Sequence, residues 1–342
     1  MTSPKRFIEG ILDGVDLVIV DVGAAYGLPP HLAVFESLAR VCLFEPEAER
    51  ALELRRHYAE KRGLPNVSVF TDALAASEGE RTLYVTNVPT GSSLLKPGTE
   101  IIEEFGAHDY IFPVREVKVH TRALADVLGG AAIPRADAVK LDVQGAELEV
   151  LRGLRGMLAA DTLAVELEVG MPGAYLGQPG LGAVEEFMAG AGFRLYDLRL
   201  VRHHRGMASP RGGDYPTGVF GVPPDSASLA KRVAEADALY FRKPESLLQK
   251  GDAAAIRRLI VLMSAYGQFV DAYDLIGRAE SARILDARHA DACRRHVTAW
   301  HRSTTDVLMD SIWFSKALAL ASRISKRAQR RLLGKNFARW QA

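Results

Sequence analysis

The sequence predicts a doubly wound, mostly parallel α/β sheet with an antiparallel edge, followed by an all-helical C-terminal part. Three observations predict it. Short, nearly continuous apolar runs of strand length recur along the first half, with helical segments between several of them. Several of these runs end in an acidic residue, the first also in a glycine-bearing turn. Strand signals stop after Pro223-Pro224 and long helical patterns begin. The division is therefore expected at 1–224 for the α/β domain and 225–342 for the helical one. A chain of 342 residues is long enough for both.

The core strands are expected at Asp16–Asp21, Arg40–Phe44, Val67–Thr71, Ala138–Asp142 and Thr162–Leu167. Two weaker runs, Phe193–Leu198 and Val219–Val222, fit an antiparallel edge hairpin. Alternating segments at Arg81–Thr86 and Glu116–Thr121 read as an inserted antiparallel pair. Arg202–Pro216 is polar, rich in Gly and Pro, and reads as a loop. Asp252–Leu275 has the small-residue pattern of a helical hairpin.

Composition narrows the class. The hydrophobic share of 48% and charged share of 25% are those of an ordinary globular protein. A net charge of +1 provides no global attraction to nucleic acid or membrane. Cys42 and Cys293 form no CxxC, so neither zinc nor a disulfide framework is indicated, and Cys42 reads as a small buried hydrophobe. No run approaches the roughly 20 apolar residues of a bilayer span, and the first residues lack a signal-peptide core. A cytoplasmic location is expected.

The first strand runs into Asp21-Val22-Gly23-Ala24-Ala25-Tyr26-Gly27, a D-x-G-x-x-x-G turn. Its glycines allow a sharp bend and close approach of a ligand to backbone. The dinucleotide pattern G-x-G-x-x-G is not met, because Ala25 and Leu28 stand at its second and third glycine positions. Asp21 also suits a cationic group better than a diphosphate. Glu45, 24 residues further on at the tip of the second strand, has the placement of a carboxylate that accepts ribose hydroxyls; a solvated loop glutamate is the alternative. Asp72, followed by Ala73 and Leu74, is placed to accept an adenine amino group while Leu74 packs on the ring; a helix N-cap is the alternative. Lys140-Leu141-Asp142-Val143-Gln144-Gly145-Ala146-Glu147 is the strongest pattern. A strand stops at Asp142, turns, and enters an amphipathic helix, so Asp142 is expected to face the ligand, unless it and Glu147 only cap that helix. Glu166 and Glu168 at the fifth strand share one face. These residues reach as far as an adenosyl-type cofactor in a crevice at the strand ends.

Taken together the motifs resemble the FkbM family of methyltransferases, over roughly Asp16 to Leu198. The carriers are DVGAAYG at Asp21–Gly27, FEP at Phe44–Pro46, DALAASEGERTLY at Asp72–Tyr84, GSSL at Gly91–Leu94, VHTRALADVL at Val119–Leu128 and KLDVQGAELEVLRG at Lys140–Gly153. Two positions depart: Ala25 stands where the family usually has asparagine, and Gln144 where it usually has glutamate. The resemblance implies a class I, Rossmann-like methyltransferase that uses S-adenosylmethionine. The implied reaction methylates a hydroxyl of a sugar, glycan or natural-product acceptor. Cofactor-binding residues are then expected at Asp21, Gly23, Ala25, Gly27, Glu45, Asp72, Ala73, Leu74 and Asp142.

A hydroxyl nucleophile gains from a base within hydrogen-bond reach. Asp142 is the first candidate and Glu166 the second. His120 is a further one, although its alternating strand context fits a structural role. Ser92 and Ser93 fit an acceptor pocket or an ordinary turn. His203, His204 and Asp214 sit in a polar loop, where histidines are usually solvated, and no metal is expected. After Asp310 the chain has no acid and eight basic residues, Lys316, Arg323, Lys326, Arg327, Arg330, Arg331, Lys335 and Arg339. Apolar residues interspersed among them fit a helix on an anionic membrane surface or one docked on its own domain. No nucleic-acid partner is expected. A nucleotide-dependent sugar-modifying enzyme and a non-catalytic scaffold with a degenerate cofactor site are the competing readings.

Overall fold

The structure is a computed structural model that describes residues 4–99, 111–170, 173–203 and 232–322. Its centre is a seven-stranded sheet in the order β3-β2-β1-β7-β8-β10-β9. The strands are β1 (Val18–Val22), β2 (Arg40–Phe44), β3 (Val67–Phe70), β7 (Ala138–Leu141), β8 (Ala164–Gly170), β9 (Phe193–His203) and β10 (Arg232–Arg242). The pairs joining β3, β2, β1, β7 and β8 are all parallel. β10 runs antiparallel between β8 and β9. The mostly parallel sheet with an antiparallel edge is thus present.

Period-two alternation sends successive side chains of β1 to opposite faces. Ile19 joins one apolar cluster, while Val18, Val20 and Val22 join another. The second cluster is closed by α3 (Leu124–Gly130), α4 (Glu147–Gly153), α5 (Arg155–Ala160) and α6 (Leu181–Gly190). The first is closed by α1 (Pro4–Leu12) and by helices that come from the other end of the chain. These are α8 (Ala253–Ala265), α9 (Phe269–Ser281) and α10 (Ala287–Ser322), preceded by α7 (Pro244–Lys250). Ile256, Leu259, Ile260 and Met263 of α8 share one buried cluster with Ile19, Leu43, Leu239 and Phe241 of the sheet. The helical C-terminal region is therefore one of the sheet's two covering layers. α2 (Ala48–Arg55) follows β2.

The expected end of strand signals at 224 is corrected by β10, which lies past it. Its buried side chains include Ala236 and Ala238, and its pleat carries Glu235 and Asp237, so β-branched residues are scarce and the segment reads as helix former. β9 pairs with β10; Val219–Val222, its expected partner, lies outside the described residues. β9 also runs on through His203, into the segment read as a loop. His204 and Asp214 are outside the described residues, as is the tail from Arg323; of the side chains at 305–322 nothing is described.

A second sheet, β4-β6-β5, sits over the strand tips. It comprises β4 (Ala73–Ala75), β5 (Gly79–Thr86) and β6 (Pro113–Ala123). β5 and β6 pair antiparallel with Arg81 opposite Val119, the inserted pair expected from the alternation. Cys42 and Cys293 are both buried free thiols. Among the described residues no helix is long and apolar enough to cross a membrane.

One polar cluster ties the helical layer to the sheet. Glu166 of β8 accepts hydrogen bonds from the Tyr266 hydroxyl at 2.8 Å and the Arg199 guanidinium at 2.8 Å, and pairs with His31 Nε2 at 2.8 Å. Burial alone would raise its pKa, but His31, Tyr266 and Arg199 outweigh burial and hold it below the ordinary value. Tyr266 directly follows α8 and is itself buried within this cluster. Tyr266→Phe removes a charge-assisted bond and is expected to destabilise the fold by about 1.5–3 kcal/mol. Urea unfolding checks it, and a midpoint equal to wild type would show that the bond contributes nothing.

A candidate active site at the ends of the parallel strands

A cavity of about 890 Å³ opens where β1, β2, β7 and β8 end and the β5–β6 pair overhangs them. Its lining includes Gly23, Ala25, Glu45, Asp72, Ala73, Leu74 and Asp142. These seven residues, expected from separate motifs, are brought together around one cavity. Phe44, stacked on Phe70 at 4.8 Å between ring centroids, gives the wall beside Glu45 an aromatic backing.

Gly23 makes the closest backbone approach. Its φ is +84°, and a Cβ there would lie 1.9 Å from the Asp142 carbonyl oxygen. The turns after β1 and β7 therefore touch through a position that admits only hydrogen. They are held by Asp142 N–H to Val22 O at 2.9 Å and by Gly23 and Ala24 N–H groups donating to Phe44 O at 3.0 Å. Gly27 has a different role from the one expected. It does not line the cavity; a Cβ there would meet the Tyr58 hydroxyl at 2.4 Å, so it makes room for that ring.

Asp21 also sits beneath the cavity and not in its wall. It is buried, and its Oδ1 accepts no hydrogen bond among the described residues; Lys140 Nζ is 3.6 Å away. Burial pushes its pKa up to about 6, with Lys140 opposing. The same ammonium lies 3.4 Å from Asp142 Oδ2. Burial works against the Lys140 charge, but Asp21, Asp142 and Glu166 prevail and raise its pKa. Folded Asp21 keeps its proton from 3.8 up to about 6, so in that window the folded state binds more protons than the unfolded chain. Its contribution to stability is complete below about pH 4 and lost as pH rises through about 6. Asp21→Asn is expected to flatten the fall in unfolding free energy between pH 4 and 7 by about 3 kcal/mol. Denaturant titrations across that range check it, and an unchanged slope would be the contrary result.

Glu45 is buried at the tip of β2, where its Oε1 accepts the Glu47 N–H at 2.8 Å. Burial raises its pKa above the ordinary carboxylate value. It is not a solvated loop residue. Asp72 precedes β4, so it caps no helix; one of its oxygens is engaged by Arg122 at 3.1 Å. Asp142 caps no helix either, since Ala146 holds that position before α4. Glu147 braces the turn instead: its Oε1 accepts the N–H groups of Val143 at 3.0 Å and Gly145 at 3.1 Å. Burial lifts its pKa to about 7.

The second candidate base is corrected. Glu166 does not line the cavity, its two oxygens being engaged in the cluster with His31, Tyr266 and Arg199. Glu168 does line it. The two share a face, but two residues advance a strand by about 6.6 Å, which carries Glu168 to the sheet's end. Glu168 is raised far above the usual carboxylate range by burial first, then by Asp142, Glu235 and Glu147. His120 faces away from the site: it is exposed, on the outer face of β6, and 3.0 Å from Glu78. Ser92 and Ser93 line the cavity, as do Gln144, Tyr175 and Glu235, which the motifs did not assign. Ser93 Oγ donates to Gln144 O at 2.7 Å.

The arrangement has the chemistry of a cation site. Asp142 and Glu235 lie close enough to Glu168 to raise its pKa, and Glu45 lines the same cavity. A diphosphate would meet these carboxylates, and the glycine turn after β1 leads into no α-helix that could receive it. Residues 23–39, between β1 and β2, hold one 3₁₀ turn (Ala33–Phe35) and no α-helix. The residues present fit an adenosyl ligand with a cationic far end.

Comparison with known proteins agrees. Residues 21–195 match the profile described as the Methyltransferase FkbM domain. AMB antimetabolite synthetase AmbE of Pseudomonas aeruginosa is 31% identical over a match covering 47% of this chain and 9% of that protein. Methyltransferase sdnD of Sordaria araneosa is 31% identical over 40% of this chain and 60% of that protein. The chain thus spans less than two thirds of either relative's length. The crystal structure of methyltransferase FkbM from Methylobacillus flagellatus KT overlays with a TM-score of 0.37 at 16% identity, covering 66% of this chain and 43% of that one.

Proposed function

Since the chain belongs to the FkbM methyltransferase family, we propose that it binds S-adenosylmethionine in this crevice and methylates a hydroxyl of a sugar, glycan or natural-product acceptor. The observation that carries the reading is the acid-lined cavity at the strand ends, closed by a glycine turn that no helix follows. When bound, the cofactor supplies an electrophilic methyl group on a sulfonium. The protein supplies alignment and charge.

Glu45 is assigned to the ribose hydroxyls. Ala73 and Leu74 pack against the adenine, and the Asp72 oxygen not engaged by Arg122 accepts its amino group. Gly23 and Ala25 offer backbone to the methionine end, where Ala25 brings no side-chain amide. Asp142 is the first choice to orient the acceptor hydroxyl and take its proton. Lys140 Nζ lies 3.4 Å from its Oδ2. That one matched relative is an antimetabolite synthetase supports the natural-product end of the acceptor range.

Calorimetric titration with S-adenosylmethionine and with NAD tests the proposal. Saturable binding of the first and none of the second is expected. Binding of NAD alone would favour a nucleotide-dependent sugar-modifying enzyme, and binding of neither a scaffold. In an assay with an acceptor in hand, turnover retained in Asp142→Asn would remove Asp142 from its role.

A further inference from the structure

Gln144 is the most connected side chain of the cavity. Its Nε2 donates to Asp142 Oδ1 at 2.9 Å and to Glu168 Oε2 at 3.2 Å. Its Oε1 is 2.9 Å from the Tyr175 hydroxyl, which also lies 2.8 Å from Gly91 O. Its own carbonyl accepts the Ser93 hydroxyl. In this orientation the amide meets both carboxyl groups with its N–H donors and the Tyr175 hydroxyl with its oxygen. An amide has two N–H donors, and each carboxyl group takes one.

The backbone adds an independent observation. Gln144 has φ +56°, a conformation that favours glycine or asparagine, although Gly145 stands next to it. A turn chosen for ease of folding would not place a glutamine there. Strain retained at a residue that lines a cavity and bridges two carboxyl groups points to a role in the site.

The two carboxyl groups come from different strands. Asp142 follows β7 and Glu168 lies on β8, 24 positions apart from Gln144 in the chain. A glutamate at 144, the residue usual in the resembling family, would bring a third carboxyl group into contact with both. Gln144 instead joins them without charge.

We propose that Gln144 is the positioning residue of the methyl-transfer site, its amide holding Asp142 and Glu168 side by side so that the acceptor hydroxyl meets a pair of carboxyl groups and not Asp142 alone. The proposal rests on the methyltransferase reading. The proton leaves the hydroxyl for this pair as the oxygen–carbon bond forms and the methyl group's bond to sulfur breaks, its electron pair remaining on sulfur. Around it the charged or titratable groups are Lys140 on β7, Asp21 on β1, Glu147 on α4, Tyr175, and Glu166 on β8 with Glu235 and Asp237 on β10.

The test compares S-adenosylmethionine, cationic at sulfur, with S-adenosylhomocysteine, neutral there, by calorimetry on the full chain between pH 6 and 9. The ratio of the two affinities reports charge at the clamp without an acceptor. Gln144→Leu removes both donors, so neither carboxyl group is held in place. Its preference for the cation is expected to fall about tenfold below wild type across this pH range. Gln144→Glu is expected to match wild type at pH 6 and to exceed it by about tenfold at pH 9. Adding Glu168→Gln to Gln144→Glu should cancel most of that excess, a coupling that a merely structural residue would not show. Wild-type ratios in both single variants at every pH would overturn the proposal, as would unfolding of both by circular dichroism, which would assign Gln144 to the turn's stability. Failure of the wild type to bind either compound would overturn the methyltransferase reading itself; binding with unaltered ratios would overturn the clamp alone.

Discussion

Gly23→Ala is expected to abolish measurable binding of S-adenosylmethionine and to lower the thermal midpoint by at least about 5 °C. Two terms add. An alanine at φ +84° bears a left-handed penalty of roughly 1–2 kcal/mol. The new Cβ would stand 1.9 Å from the Asp142 carbonyl, a backbone atom with no rotamer to relieve the overlap. The turn after β1 or the turn after β7 must move, and overpacking of this kind costs about 1–3 kcal/mol more. Those two turns form the crevice, so the displacement falls on the ligand site. Gly156→Ala is the control: it lies in α5 with nothing within 4 Å of the added atom, and should be neutral or stabilising by up to about 1 kcal/mol. Scanning fluorimetry and calorimetry read both. A Gly23→Ala protein that bound cofactor like the wild type would show that the turn is not the ligand's seat.

Glu45→Gln should weaken S-adenosylmethionine about 10- to 100-fold and leave the fold intact. Glutamine keeps an oxygen for the Glu47 N–H, so the local turn retains its bond. It loses the charge that would accept two ribose hydroxyls, and each charge-assisted bond is worth roughly 1.5–3 kcal/mol. The carboxylate is itself disfavoured by burial, so its removal does not destabilise the empty protein. An unchanged dissociation constant with an unchanged melting curve would take Glu45 out of the binding site.

Much of the crevice was legible because it is built from the ends of parallel strands. Each strand is a short apolar run, each tip is the residue after it, and the tips of a doubly wound sheet share one edge. That reasoning reached Gly23, Ala25, Glu45, Asp72 and Asp142 without a structure. It could not choose between Glu166 and Glu168, because alternation gives the face of a side chain but not how far along the strand the cavity begins. Nor could it see that His31 and Tyr266 close over Glu166; those contacts span 135 and 100 positions of chain. The link from Gln144 to Tyr175 spans 31, and local pattern carries no trace of it. β10 escaped for another reason. Its alanines favour helix in isolation, and it is a strand only because β8 and β9 leave a gap of one strand's width between them.

That gap also bears on how the chain is made. A ribosome that has delivered everything through His203 has released both neighbours of β10 but not β10 itself. β8, buried along nearly its whole length in the finished protein, then has an open edge toward solvent. Nascent chains stalled anywhere before Arg242 are expected to need a chaperone's cover, and premature stops in that interval should yield insoluble product instead of a smaller working enzyme.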